Sequence, residues 1–318
     1  MLINYMGIKN LIKFIIKYTP NAIKTKSITD YKNKKIGFDA ANYIHKSILA
    51  IRINGYDIKN EDLYVTHIHS LLVKIIKLYK FNIKAIFVFD GKQPEIKIED
   101  KYKNKKKEIK KKYKTMSDQE KKKYYHIKYS VTTKEINECK ELLELCGITI
   151  LNACGEADVI CAELSKKNII SYVVTDDTDI LMFGGKNILK NFSVDEKKKI
   201  FQINLLQILK NIKLTYRQFV DLCLLLGSSY TENSYNINIY EKLLKYKNIK
   251  NLTKHKKIKN ITNYKEITSY ILNPGNDKLE IKKQKIDYER LNNFLLKFKF
   301  KTEYINNVVN LLKKYKNN

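Results

Sequence analysis

No uninterrupted apolar run in this sequence approaches the roughly 20 residues that a membrane helix requires. Yet 44% of its residues are hydrophobic, enough for a sizeable interior, so a soluble protein with no membrane partner is expected. The opening MLINYMGIKNLIKFIIKY is broken by Lys9, Lys13 and Lys17, which excludes a secretory apolar core and leaves an amphipathic helix. It lacks acids before Asp30, as a mitochondrial presequence does, but it also lacks the arginine and serine that such segments carry.

The five cysteines, at 139, 146, 154, 161 and 223, form no CxxC pair, and their odd number argues against a disulfide framework. A reducing compartment fits, and small buried hydrophobes describe them better than zinc ligands. Acids are scarce: 33 Asp and Glu stand against 62 Lys and Arg, for a formal charge of +29. That balance points to a polyanionic partner, most simply nucleic acid. The chain is also loaded throughout with Lys, Asn, Ile and Tyr, as AT-rich coding produces, so the position of the charge carries more than its total.

Three short β-branched and aromatic runs read as buried strands: KKIGFD (34–39), IKAIFVFD (83–90) and ISYVVTD (170–176). Each ends in aspartate. The helical patterns AANYIHKSILAI and VTHIHSLLVKIIKLYK alternate with them, which predicts an α/β fold with a mostly parallel central sheet flanked by helices. At 318 residues one core with appended helical parts is expected. In such sheets the ligand crevice lies at the carboxyl ends of the strands, where the aspartates would sit.

Residues 95–130 are lysine-rich with sparse apolar positions and read as a solvated helical insertion. Tyr102, Tyr113, Tyr124 and Tyr125 interleave with its lysines, as on surfaces that bind single strands; an exposed charged helix with no task is the plainer alternative. Beyond it, TTKEINECKELLELCGI predicts a helix ended by Gly147, ITILNA a short strand, and GEADVICAELSKKN a helix with Glu156 and Asp158 in its first turn. From Ile203 onward the chain reads as helices with a turn at NPGND (273–277) and no internal repeat.

If the strand reading holds, Asp39, Asp90, Glu156, Asp158, Asp177 and Asp179 converge on one crevice. A like-charged pair about 4 Å apart repels by roughly 4 kcal/mol at an effective dielectric near 20, so six acids imply protons or bound cations. Hard oxygen donors suit Mg²⁺ or Mn²⁺ rather than zinc. Two such ions about 4 Å apart are the usual device for hydrolysing phosphodiesters.

MGIKNL at 6–11, IGFDAANYIHKS around Asp39, FVFDGKQP around Asp90, GEADVICAEL at 155–164, TDDTDILMFGG at 175–185 and FVDLCLLLGSSY at 219–230 together resemble the structure-specific 5′ nucleases of the flap endonuclease (XPG/Rad2-like) family. The closing LNNFLLKFKFKTEYINNVVNLLKKY is similar to the last helices of the flap endonuclease branch itself. The resemblance implies a PIN-like 5′-nuclease fold with a basic helical arch and a degenerate helix-hairpin-helix DNA-binding motif. It divides the chain into an extension (1–5), an N-terminal nuclease region (6–94), the arch (95–130), an internal nuclease region (131–230), an overlapping hairpin region (218–250) and C-terminal helices (251–318), one compact nuclease unit. It implies a monomer that uses two Mg²⁺ ions, with Mn²⁺ able to substitute, and cuts branched DNA where a 5′ flap leaves the duplex, with some 5′–3′ exonuclease activity. Replication and repair in a nucleus or equivalent compartment, organellar and viral sites included, are the implied setting.

By the same resemblance, Asp39, Asp90, Glu156 and Asp158 serve the first metal, and Asp177 and Asp179 the second, with Asp158 shared. Asp176 replaces a glutamate and is not expected to be a ligand. Lys97 takes the place of a lysine that positions the scissile phosphate; a family arginine aligns with Asn104, flanked by Lys103 and Lys105. Gly7 lies near the active site, and His45 stands where a ring stacks on the substrate. Ser229 replaces a seventh carboxylate, which predicts a weaker second metal, and Glu232 is a less favoured substitute. Asn236-Ile237-Asn238 replaces a Gly-Ile-Gly hairpin that binds duplex phosphates, often with potassium; asparagine tolerates a positive φ there. MLINY precedes the usual start, leaving Met1 or Met6 as the initiator. The sequence ends without a glutamine-and-aromatic clamp-binding tail, so sliding-clamp recruitment through it is not expected. A catalytically impaired, structure-specific DNA-binding protein on the same fold is the alternative.

Overall fold

The computed structural model describes residues 7–52, 56–97, 108–109, 111–121, 124, 131–275, 280–282 and 284–316. Its nine strands are β1 Ile23–Lys26, β2 Lys35–Asp39, β3 Lys59–Asn60, β4 Leu63–Tyr64, β5 Lys84–Phe89, β6 Thr149–Asn152, β7 Tyr172–Val174, β8 Asn187–Lys190 and β9 Ile200–Asn204. β3 and β4 form a separate hairpin, and the other seven lie in the order β1-β9-β8-β7-β2-β5-β6. From β8 to β6 all pairs are parallel, whereas β9 and β1 extend the edge antiparallel. A mostly parallel sheet is therefore present, with β2, between β7 and β5, at the centre of its parallel part.

Both faces of the sheet are covered, which is why its central strands are nearly continuous runs of apolar residues. Alternation divides them: Ile86, Val88 and Val173 point into one core, and Ile36, Phe38, Phe87, Phe89 and Val174 into the other. Phe38 and Phe87 stack across β2 and β5, centroids 4.7 Å apart. The first core is closed by helices Leu11–Tyr18, Ala157–Lys166, Leu205–Ile212 and Tyr216–Gly227, with Leu243, Leu252 and Ile271 from farther along the chain. The second is closed by helices Ala40–Arg52, Thr66–Lys80, Thr133–Leu145, Tyr288–Lys297 and Thr302–Lys316. The C-terminal segment is thus split, residues 251–275 on one face and 284–316 on the other.

The helix Thr133–Leu145 begins on a capping box between Thr132 and Glu135. It is followed by Gly147 at φ +71, where a Cβ would sit 2.8 Å from the backbone nitrogen of Ile286. The end expected from Gly147 is present, and a later segment packs directly onto it. No disulfide joins the cysteines; all but Cys154 are buried. Among the described residues no helix is long and apolar enough to cross a membrane.

Several features differ from the sequence reading. β1, β8 and β9 are short, and β1 and β9 are only partly buried, so their apolar signal is weak, and Ile203 and Asn204 finish a strand before the helices begin. In the insertion, Ile109 and Tyr113 are buried, and the Tyr113 hydroxyl donates to the Lys121 carbonyl at 3.1 Å. Tyr113 therefore anchors the insertion rather than presenting a stacking surface. Tyr102 and Tyr125 lie outside the described residues.

Candidate active site

The central strands deliver the acids. β2 ends on Asp39, which is 8% exposed and runs directly into helix Ala40–Arg52. Its Oδ1 accepts from the Asn42 amide at 3.1 Å and its Oδ2 from the Thr175 hydroxyl at 3.1 Å. Asp90 follows β5, and its Oδ1 accepts from the Ala157 amide at 2.9 Å, the first turn of helix Ala157–Lys166. Glu156 is the residue before that helix and is buried. Asp158 lies in its first turn, where the helix dipole favours a carboxylate. β7 leads to Asp177 and Asp179; Asp177 Oδ1 accepts the Asp179 amide at 2.8 Å, which turns the chain into helix Asp179–Met182.

The acids act on one another. Burial, with the charges of Asp90 and Asp177, pushes the Asp39 carboxyl up to about 7. Burial raises Asp158 well above the ordinary range, and Asp177, Asp39, Asp179 and Glu156 add to it. Asp177 and Asp179 are raised for the same first reason. The structure thus brings together all six acids named from the sequence. Among the described residues no three His, Cys, Asp or Glu side chains form a ready-made metal group. Oδ1 of Asp158 and Oδ1 of Asp179 are nonetheless buried without a hydrogen-bond partner. Two orphaned carboxylate oxygens inside an all-oxygen donor set fit a hard divalent cation.

Lys97 supplies the nearest positive charge, its ammonium bonded to Oε1 of Glu156. Burial alone would lower its pKa, but Glu156 carries it upward. Oε2 of the same carboxylate receives the Tyr230 hydroxyl and lies 3.4 Å from the Tyr270 hydroxyl. Asp176 belongs to a different group: it pairs with Lys46, accepts the Asn191 amide at 2.9 Å, and receives Lys190 on its backbone carbonyl. Burial would raise its pKa, but Lys46 overrides this and holds it below the usual range.

Gly7, at φ +82, presses against the acids: a Cβ there would fall 2.1 Å from Asp177 Oδ1 and 2.6 Å from the Thr178 nitrogen. The next amide, Ile8, donates to Thr178 Oγ1 at 2.9 Å. His45 is partly buried on helix Ala40–Arg52, one residue before Lys46. Ser229 donates to Asp179 Oδ2 at 3.0 Å, so it stands beside that acid. Exposed Asn236 and Asn238 lie in the connection between helices Tyr216–Gly227 and Ile239–Tyr246. Neither takes a positive φ; Asn238 is at φ −66, and the Asn236 carbonyl accepts the Ile239 amide at 2.9 Å. The left-handed backbone anticipated for this turn is not used. Lys103 and Lys105 lie outside the described residues.

Sequence reasoning missed Tyr230, Tyr270, Lys46 and Lys190. Tyr230 adjoins Ser229 in a recognised motif and could have been found there. Tyr270 meets Glu156 from 114 residues away, with no local signal.

The XPG N-terminal domain matches residues 6–112 and the XPG I-region residues 147–229, between them containing the six acids and Ser229. Flap endonuclease 1 of Encephalitozoon cuniculi is 33% identical over 71% of this chain and 68% of its own length. The proteins of that name from Theileria parva and Homo sapiens are 30% and 31% identical, over 98% and 78% of this chain and 66% and 68% of their own lengths. The chain thus spans about two thirds of these relatives. Among solved structures, flap endonuclease-1 from Methanococcus jannaschii shares the fold with a TM-score of 0.70 at 22% identity, over 92% of this chain and 96% of that one. The catalytic core of Rad2 in complex with DNA substrate gives 0.69 at 23%, over 96% and 100%. Human GEN1 in complex with Holliday junction DNA gives 0.73 at 19%, over 97% and 78%. With both XPG regions in order and flap endonuclease 1 relatives at 30–33% identity, the chain belongs to the flap endonuclease family of XPG-type nucleases.

Proposed function

We propose that the chain is a structure-specific 5′ flap endonuclease with 5′–3′ exonuclease activity, hydrolysing the phosphodiester at the junction of a 5′ single strand and duplex DNA. The observation that carries the reading is the buried acid group with its orphaned oxygens on Asp158 and Asp179, faced by Lys97. Asp39, Asp90, Glu156 and Asp158 would hold one Mg²⁺ and Asp177 and Asp179 a second, with Asp158 shared. When bound, the ions supply Lewis acidity at the attacking and leaving oxygens.

The chain's own groups do the rest. Lys97 turns from Glu156 to a non-bridging oxygen of the scissile phosphate and stabilises the charge that develops there. Gly7, lacking a side chain, lets the substrate strand approach Asp177. His45 stacks on the strand, Lys103 and Lys105 of the arch hold its phosphates, and the Asn236–Asn238 turn contacts the downstream duplex through its backbone. Ser229 leaves the second cation one carboxylate short. A monomer working in a nucleus or an equivalent DNA-replication compartment suits this activity.

A labelled 5′ flap incubated with the protein, first in Mg²⁺ and then in Mn²⁺, tests the reading. Incision at the junction, lost on Asp179→Asn, is expected. Flap binding without cleavage in either ion would instead select the impaired DNA-binding protein.

A further inference from the structure

Glu156 receives three donors. Lys97 is on Oε1, Tyr230 is on Oε2, and the Tyr270 hydroxyl stands 3.4 Å from Oε2, longer than a full O–H···O hydrogen bond. A substrate phosphate competes with Glu156 for the ammonium, which would also repel a cation arriving at the same carboxylate. A buried carboxylate that exchanges its lysine for a cation still needs donors for its remaining oxygen. Neutral phenols meet that need without adding positive charge.

Tyr270 is also held in place. It lies on helix Tyr264–Leu272, with its ring edge-on to Phe183 at 6.0 Å and 6.0 Å from the Tyr230 ring. Phe183 directly follows the helix that begins at Asp179, so one aromatic cluster touches the segments carrying Glu156 and Asp179. A cavity of about 360 Å³ opens beside Glu156, walled by Tyr270, Pro94, Val159, Ile160 and Pro274. Hydrogen bonds in unliganded active sites are often long and tighten on loading.

We propose that Tyr270 is a positioning residue for Glu156: its hydroxyl steadies Oε2 as Lys97 leaves for the substrate, keeping Oε1 aimed at the divalent cation. The role makes helix Tyr264–Leu272, outside both XPG regions, part of the catalytic apparatus. It rests on the reading of Glu156 as a metal ligand.

The test is calorimetric binding of Mn²⁺ to the DNA-free full chain, for the wild type, Tyr270→Phe, Glu156→Gln and the double variant, with melting temperatures recorded alongside. Tyr270→Phe should weaken Mn²⁺ binding by roughly three- to tenfold, below the 10–100-fold common for partners of metal ligands because Tyr230 remains. Its melting temperature should stay close to that of the wild type. In the Glu156→Gln background the same change should add less than about twofold, the mark of action through Glu156. Flap cleavage by Tyr270→Phe should lose kcat while KM for DNA holds. Unchanged Mn²⁺ affinity in Tyr270→Phe, with Glu156→Gln still impaired, sinks the Tyr270 role and leaves the metal reading intact. An equal loss in both backgrounds sinks it too, as packing alone. Glu156→Gln without effect overturns both.

Discussion

The hydroxyl of Ser229 donates to Oδ2 of Asp179 across 3.0 Å, within the buried acid group. That contact satisfies one oxygen of Asp179 and leaves Oδ1 buried without a partner. A serine there adds a hydrogen bond but no charge, so under the proposed two-metal reading the pull on a second cation would fall on Asp177, Asp179 and the shared Asp158.

Replacing Ser229 by aspartate should therefore act in opposite directions on the empty and loaded protein. A carboxylate about 3 Å from Asp179 repels by about 5 kcal/mol at an effective dielectric near 20, so the chelated variant should melt below the wild type. With Mg²⁺ present, the concentration for half-maximal cleavage should drop by roughly one to two orders of magnitude. A Mg²⁺ titration of flap cleavage on Ser229→Asp reads this directly. An unchanged midpoint would place the second cation elsewhere.

Gly7 allows a second test, because its neighbours leave no room for a methyl group. A Cβ would stand 2.1 Å from Asp177 Oδ1, and φ +82 strains any other residue. Gly7→Ala should push Asp177 or the N-terminal segment aside, costing about 1–3 kcal/mol of backbone strain. Single-turnover cleavage should fall by roughly ten- to a hundredfold, as expected when a catalytic group moves by about 1 Å. Flap affinity should change little. Cleavage at the wild-type rate would show that the Asp177 position tolerates displacement.

The sequence and the structure agree where the signal is local and repeated. β2, β5 and β7 are dense β-branched and aromatic runs, each leading to an aspartate, and alternating faces make them central strands. β1, with its IKTK pattern, is a half-exposed edge strand whose apolar content could not distinguish it from a loop. Asn236 and Asn238 replace glycines, and the expected left-handed turn followed from that substitution alone; the backbone instead takes ordinary negative φ and closes through the Asn236 carbonyl. Tyr270 was illegible for a different reason: its partner Glu156 is fixed only when separate parts of the chain pack on the same face of the sheet. The split of the C-terminal helices between the two faces is likewise a product of packing, with no mark in composition.

The raised acids set a pH dependence with a definite sign. Asp39 is at about 7 in the folded protein against 3.8 ordinarily, chiefly from burial and then from Asp90 and Asp177. An acid that holds its proton more tightly when folded stabilises the fold at low pH, and that contribution is lost as pH rises from about 4 to about 7. His67, held neutral by burial despite Glu138, works the other way and costs stability as pH falls below its ordinary 6.5. The comparison is therefore with Asp39→Asn. In EDTA its melting temperature should exceed that of the wild type at pH 7.5, with the gap narrowing toward pH 5. Mg²⁺ should raise the wild type more than the variant at pH 7.5. A gap that does not change with pH would remove Asp39 as its source.

A last prediction concerns the join between the insertion's exit and the nuclease core. Arg52, at the end of helix Ala40–Arg52, bonds to Glu135, and its Nε lies 3.1 Å from Asp57 Oδ2; the Arg52 and Glu135 side chains are only 8% and 12% exposed. Glu135 also accepts the Thr132 amide at 2.8 Å, so one carboxylate both pairs the arginine and caps helix Thr133–Leu145. Beside it, His67 meets Glu138 at 2.7 Å. Removing Glu135 leaves the buried arginine with Asp57 alone, so Glu135→Ala should lower the unfolding free energy, by less than the about 3–5 kcal/mol of a fully stranded charge. Because an apolar pair of similar volume can replace a buried ion pair at little cost, Arg52→Met combined with Glu135→Leu should recover much of that loss. Urea denaturation of the single and double variants measures both effects. A double variant as unstable as Glu135→Ala would assign the loss to the missing helix cap rather than to the stranded arginine.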